Sequence, residues 1–204
     1  DSTFALALRY HAAWNHNYLR SYESAQKYII QAMRHRQRLS EYFDISTRIL
    51  YYLILGENDK AIALSEMQHE LQPNNIQLLL GLIDTYRRKF MVQKLERSLE
   101  QLNELLPNIP IYQIQLARSY LLTGKLDKGL EVLKQTLKDT PENTGALLQM
   151  GEIYLHKNDL EAAEEAYKKA ILLSPEDEQS WSKIFAYIAF VRNNSMNTNF
   201  LESF

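Results

Sequence analysis

Histidines and carboxylates are the residues of this chain best suited to chemistry, and their spacing argues against it. The five histidines are His11, His16, His35, His69 and His156. None stands in an HExxH or comparable ligand spacing, and His11 and His16, five apart, share no helical face. They read as surface or packing histidines, not as metal ligands. Glu161, Glu164 and Glu165 cluster early in a helical stretch. Acidic side chains there favour the positive end of the helix dipole, so a solvated face is expected and not a catalytic pair. The chain has no GxSxG, Walker loop or GxGxxG and no cysteine, which excludes a disulfide framework and thiolate metal sites. The reading is of a protein that is not an enzyme and takes no cofactor or metal.

Basic residues interleaved with aromatics are the other chemical signal. Tyr10, Trp14, Tyr18 and Tyr22 recur every four residues and are followed by Arg34, His35, Arg36 and Arg38. Such patterns hold nucleic acid in some proteins, by stacking and phosphate contact. On a helix, however, aromatics at that spacing read as core, and cations near a helix C-terminus complement its dipole. The net charge of -2 supplies no general pull towards nucleic acid or an anionic membrane. No apolar run reaches the roughly 18 residues of a membrane span. Residues 1–40 carry six Lys/Arg against two Asp/Glu, whereas residues 140–204 carry five against ten. Ends of opposite sign make head-to-tail self-association an alternative.

The elements behind these residues are helices. From Thr144 to Asp177 the residues Leu147, Met150, Gly151, Tyr154, Ala163, Tyr167, Ala170 and Pro175 fall at positions 4, 7, 8, 11, 20, 24, 27 and 32. Leu147, Met150 and Tyr154 lie on one face of a first helix, and Ala163, Tyr167 and Ala170 on one face of a second. Small residues at Gly151 and Ala163 let two antiparallel helices approach closely. Asn158 suits the left-handed turn between them, and Pro175 ends the second. Pro73, Pro107, Pro141 and Pro175, four of the five prolines, are each 34 residues apart.

This spacing resembles the tetratricopeptide repeat (TPR), a 34-residue helical pair. The repeats are then 42–75, 76–109, 110–143 and 144–177, with tyrosine at position 11 as Tyr52, Tyr86, Tyr120 and Tyr154. Position 20 is Ala61, Leu95, Gly129 and Ala163, so the middle repeats are the more degenerate. Residues 1–41 read as an irregular pair, with helices from Phe4 to about Asn17 and from Tyr22 to about Arg38. Two residues are inserted near Gln37–Glu41, and Ser40 followed by Asp44 suggests a capped start after them. Residues 178–192 read as a closing helix with Trp181, Ile184 and Ile188 in register, and 193–204 as a tail. Its run IFAYIAFV is apolar nearly all round. A solenoid end should show water a polar face. A cover is therefore expected: the tail through Phe200, Leu201 and Phe204, a second copy through Trp181–Val191, or further sequence. Gly56, Gly124 and Asn158 hold the turn inside three repeats, and Phe90 stands there in another. A packed, reshaped turn is the expectation for Phe90, and an exposed contact the alternative.

The resemblance implies an all-α, right-handed α-solenoid spanning 1–192 whose first helices line a concave groove. On that basis the groove takes Gln77, Leu80, Asp84, Arg87 and Arg88 from one repeat. The next supplies Ile111, Ile114, Gln115, Arg118, Leu121 and Leu122, and the last Leu148, Gln149, Glu152, Leu155 and His156. The expected function is a protein-interaction scaffold holding an acidic or amphipathic peptide, or a partner domain. Arg87, Arg88 and Arg118 would set selectivity unless they serve as ordinary surface charges or pair with Asp84. The family's clamp for acidic chaperone C-termini is not expected, because position 5 is Ser46, Leu80, Ile114 and Leu148.

Over roughly residues 4–75, FALALRYHAAW, RHRQRLSEYFDI and YYLILGENDKAI also resemble the repeat region of bacterial multidomain signalling proteins. That implies a sensory or regulatory region beside a DNA-binding, kinase or cyclase domain. It also implies a cytoplasmic location, or a periplasmic one if cut from a membrane-anchored regulator. The N-terminus, DSTFALALRY, lacks the basic and apolar regions of a signal peptide and reads as a start within a longer chain.

Overall fold

Two devices punctuate the chain into helices. Side-chain caps begin three of them: Asn75 Oδ1 accepts from the Leu78 amide at 3.3 Å, Asn143 from Ala146 at 2.9 Å and Asp159 from Ala162 at 3.1 Å. Left-handed residues end them: Gly56 and Gly124 lie at φ 76°, Asn158 at 59° and Phe90 at 53°. In the computed structural model, residues 2–193 are described, without the side chains of Gln179, Ser180 and 188–193. Phe200, Leu201, Phe204 and the rest of the expected tail lie outside the described residues, as does the side chain of Ile188.

The described residues form eleven α-helices and no strand. They are α1 (Ser2–Trp14), α2 (Tyr22–Arg34), α3 (Glu41–Ile54), α4 (Asn58–Leu71) and α5 (Ile76–Arg88). Then come α6 (Val92–Leu105), α7 (Pro110–Leu122), α8 (Leu126–Asp139), α9 (Thr144–His156), α10 (Leu160–Leu173) and α11 (Glu178–Asn193). The chain divides into two compact units, residues 1–89 and 90–204. In the first, α1 packs on α2 and α3 on α4, while α2 meets α3 and α4 meets α5. In the second, α7 packs on α8 and α9 on α10, while α6 meets α7, α8 meets α9 and α10 meets α11. Each unit is therefore a run of helix pairs with short turns, the all-α class expected from the spacing.

The close approach of α9 and α10 has a definite cause. A Cβ at Gly151 would stand 2.5 Å from Tyr167 Cε1, so the ring occupies the space the glycine leaves. Tyr167 is fully buried there with Leu147, Ala163 and Ala170. Gly129 of α8 does the same for the next pair, since its Cβ would lie 2.8 Å from Ile153 Cδ1.

The first pair departs from the sequence reading. The first helix ends at Trp14 and gives way to a π-turn at Asn15–Leu19, closed by Arg20 at φ 50°. The second ends at Arg34, followed by a 3₁₀ turn at Arg36–Arg38. Tyr10, Trp14, Tyr18 and Tyr22, read as core, are all exposed. The core face of α1 is made instead by Ala5, Leu8 and Ala12, small enough to bring α2 close. Ser40 precedes α3 but its hydroxyl makes no capping bond; Asp44 accepts from Arg36 at 3.2 Å instead.

Two of the position-11 tyrosines tie their pair to the helix before it. Tyr86 Oη donates to Glu66 at 2.7 Å and Tyr120 Oη to Glu100 at 2.8 Å. Burial, and then the glutamate that accepts the bond, push both phenols well above their ordinary range. Burial and Glu164 push Tyr187 up to about 12. Glu96 is buried too, which on its own raises a carboxyl pKa. Hydrogen bonds from Lys125 and Thr123 outweigh that burial and hold it ionised below its usual range.

Phe90 is 87% exposed, so the expected packed turn is not formed. A phenylalanine in the left-handed region meets steric cost without burial to offset it. Phe90→Gly is therefore expected to stabilise the chain by about 0.5–1 kcal/mol, read as a higher urea midpoint; an unchanged or lower midpoint would refute the strain. The tyrosines supply a second expectation. Unfolded phenols ionise near 10, so their stabilising contribution is complete below about pH 10 and is lost as pH rises through the higher folded values. Tyr120→Phe should cost about 1–2 kcal/mol at pH 8 yet lose less than the native chain between pH 8 and 11. Equal losses in paired urea titrations would refute the assignment.

Candidate partner-binding site

The residues on which the sequence places a partner lie on α5 of the first unit and on α7 and α9 of the second. On α5, Gln77, Asp84, Arg87 and Arg88 are exposed and Leu80 is half-buried. Arg88 pairs with Asp84 at 2.9 Å, one turn away, so the alternative of an intrahelical pair holds for that arginine. Both partners are well exposed, and a pair in that setting contributes little to stability.

The second unit carries the rest. On α7, Ile111, Arg118 and Leu122 are exposed, while Ile114, Gln115 and Leu121 are half-buried. Residues 111, 114, 115, 118, 121 and 122 follow helical spacing and share one face. Arg118 makes no ion pair or hydrogen bond among the described residues. An exposed guanidinium above leucine and isoleucine side chains suits a carboxylate-bearing peptide, whose apolar side chains the aliphatic floor can bury.

On α9 the picture differs. Leu148 is 8% and Gln149 7% exposed, so neither offers a partner much surface. Leu148 belongs to the cluster completed by Ile184 and Tyr187 of α11. The Gln149 Nε2 is buried without a partner. Glu152 accepts from Lys183 of α11 at 2.6 Å, and His156 is exposed at the helix end. The closing helix thus takes up part of the face that spacing alone assigned to a guest. Lys183 was not among the expected site residues; its signal is a lysine 31 residues beyond Glu152, close to one repeat.

No cluster of three or more potential metal ligands occurs among the described residues. His11 stacks on Tyr28, His16 meets Tyr22 edge-on and His35 meets Phe4 edge-on, as packing histidines do. None of the described helices is long and apolar enough to cross a membrane.

Known proteins share this architecture. The tetratricopeptide-repeat family model matches residues 120–184. The TPR repeat-containing protein YpiA of Bacillus subtilis (strain 168) is 26% identical over 135 residues, which are 65% of this chain and 31% of that protein. The chain therefore spans about a third of that relative's length. Among solved structures, YrrB, described as a TPR protein with an unusual peptide-binding site, is 18% identical with a TM-score of 0.64. The match covers 87% of this chain and 90% of YrrB. MamA from Desulfovibrio magneticus RS-1 is 19% identical with a TM-score of 0.65, over 85% of this chain and 97% of that one. At such identities the structural likeness shows the fold. Repeat spacing, helix pairing and structural neighbours agree on a tetratricopeptide-repeat fold, and the family model places one such repeat region at residues 120–184.

Proposed function

We propose that the chain is a non-catalytic interaction scaffold that holds a peptide segment along the outer face of α7. The observation that carries this reading is the unpaired, exposed Arg118 set among Ile111, Ile114 and Leu122. An arginine that stabilises nothing within its own unit is available to a carboxylate, and the leucine and isoleucine side chains beside it gain by burial. The guest is an extended or helical segment with an acidic residue between apolar ones. The same site would serve a sensory region in a bacterial regulator, whose further domains would lie elsewhere in the polypeptide, and a cytoplasmic setting suits both. YrrB, described as having a peptide-binding site, gives a precedent for the fold in this role.

Selection from a random 12-residue peptide library tests the reading. Selected peptides should combine acidic and apolar residues, and Arg118→Ala should weaken them about tenfold or more. Lys134→Ala, exposed on α8, should leave affinity unchanged. Failure to select any peptide, or equal affinity for the Arg118 variant, would remove the site.

A second reading, self-association through Trp181–Val191, is favoured by the 62% exposure of Phe185 on α11. It requires a mass by light scattering that rises with concentration and falls back to the monomer in Phe185→Ser. A monomer at all concentrations refutes it.

A further inference from the structure

Two position-11 tyrosines bond to a carboxylate twenty residues earlier, Tyr86 to Glu66 and Tyr120 to Glu100. Tyr154 holds the same place in the last repeat, and the residue twenty before it is Lys134. The Tyr154 ring is half-buried and packs against buried clusters on both sides of α9, so the core sets its position. Its hydroxyl makes no hydrogen bond among the described residues. Lys134 makes no hydrogen bond or ion pair there. The seam between α8 and α9 therefore presents a phenol donor and an ammonium where the two others hold a carboxylate.

This seam opens into a cleft of about 870 Å³ lined by Tyr154, Lys134 and Lys138. The cleft follows α8 from Asp127 to Lys138, about 17 Å of helix. Its own carboxylates do not take the place of the glutamate. Asp127 accepts from Lys157, Asp159 caps α10, and Glu131 makes no ion pair among the described residues. The bond from Lys157, with the nearby charge of Lys134, holds the Asp127 carboxyl below its usual range. Lys134 thus lies near Asp127 without pairing to it.

The form of the ligand follows from the lining. Lys134 and Lys138 are four residues apart on one helix, about 6 Å along its axis. Alternate side chains of an extended chain leave one face about 6.6 Å apart, so acids at i and i+2 meet both lysines. Asn103 lines the same cleft, and its Oδ1 is buried without a donor. A peptide backbone has N–H groups to offer it, whereas a fully ionised small anion has none. Leu130 and Val132 add an apolar wall for the side chain between the acids.

We propose that the cleft between α8 and α9 binds an extended partner segment with acidic residues at i and i+2. One carboxylate accepts from the Tyr154 hydroxyl and pairs with Lys134, in the place that Glu66 and Glu100 hold in the other seams, and the second pairs with Lys138. The cleft goes beyond the α7 reading and does not depend on it, since Ile111, Ile114, Arg118 and Leu122 do not line it.

Two measurements test it. In anisotropy, a fluorescein-labelled heptapeptide with glutamate at its third and fifth residues should bind saturably. A twin with glutamine in both places, and the Lys134→Glu chain, should each give affinities at least tenfold weaker. Tyr154→Phe, which keeps the ring and removes the donor, should weaken binding about tenfold, with helicity unchanged by circular dichroism. The second measurement needs no ligand. Lys134→Glu supplies the acceptor that the other seams have, so Tyr154→Phe should lower the urea midpoint in the Lys134→Glu chain and leave it nearly unchanged in the native one. Absence of saturable binding, equal affinity for the glutamine twin, or equal midpoint shifts in the two backgrounds would each overturn the proposal. Displacement of the peptide by millimolar inorganic phosphate at constant ionic strength would also overturn it, by assigning the cleft to a simple anion. Arg118→Ala should leave this binding unchanged. A loss in that variant with indifference to Lys134→Glu would put the peptide on α7 and remove the cleft as its site.

Discussion

A helix with apolar side chains on two opposite faces needs a neighbour on each side, and this constraint shapes the pairs of the second unit. α9 satisfies it through Gly151, which admits the Tyr167 ring on one side, and through Ala146 and Ile153 against α8 on the other. Neither contact tolerates much change. A Cβ at Gly151 would overlap the ring, and close-packed interiors transmit such displacement instead of absorbing it. The repeat of 34 residues follows from this geometry, because each pair must end where the next first helix can cover it.

Polar groups added to these contacts select register. Apolar surfaces bind without direction, and a leucine stripe can slide by a turn at modest cost. Tyr86 with Glu66 and Tyr120 with Glu100 join residues twenty apart, and each bond forms only when one helix sits at a single height against the next. Glu96 adds a stricter requirement. Its carboxylate is buried, and Thr123 and Lys125, in the turn after α7, satisfy it. A buried charge that loses its partners is strongly unfavourable, so this turn and α6 hold one another in place.

The stacking leaves different side chains over in different repeats. On α7 the residue left over is Arg118, charged and without an internal partner among the described residues. On α9 little remains, because Leu148, Gln149 and Glu152 are taken up by packing and by Lys183. The same repeat position therefore has different roles in different repeats, depending on what lies next to it.

Spacing alone determined the helical pairs, the tyrosines at position 11, the left-handed turn at Asn158 and the class of fold. These follow from local periodicity and backbone preference, which a sequence displays directly. Exposure was not legible in the same way. Tyr10, Trp14, Tyr18 and Tyr22 have the spacing of a core stripe, and only the packing of Ala5, Leu8 and Ala12 on α2 turns the aromatics outward. Phe90 has the composition of a buried residue, yet the turn leaves it in water. Leu148 stands at a groove position, and its packing with Ile184 and Tyr187 of α11 decided that it is core. Helical period states which residues share a face; which face meets protein and which meets water depends on neighbours far away in the chain, and the tertiary structure alone supplies them.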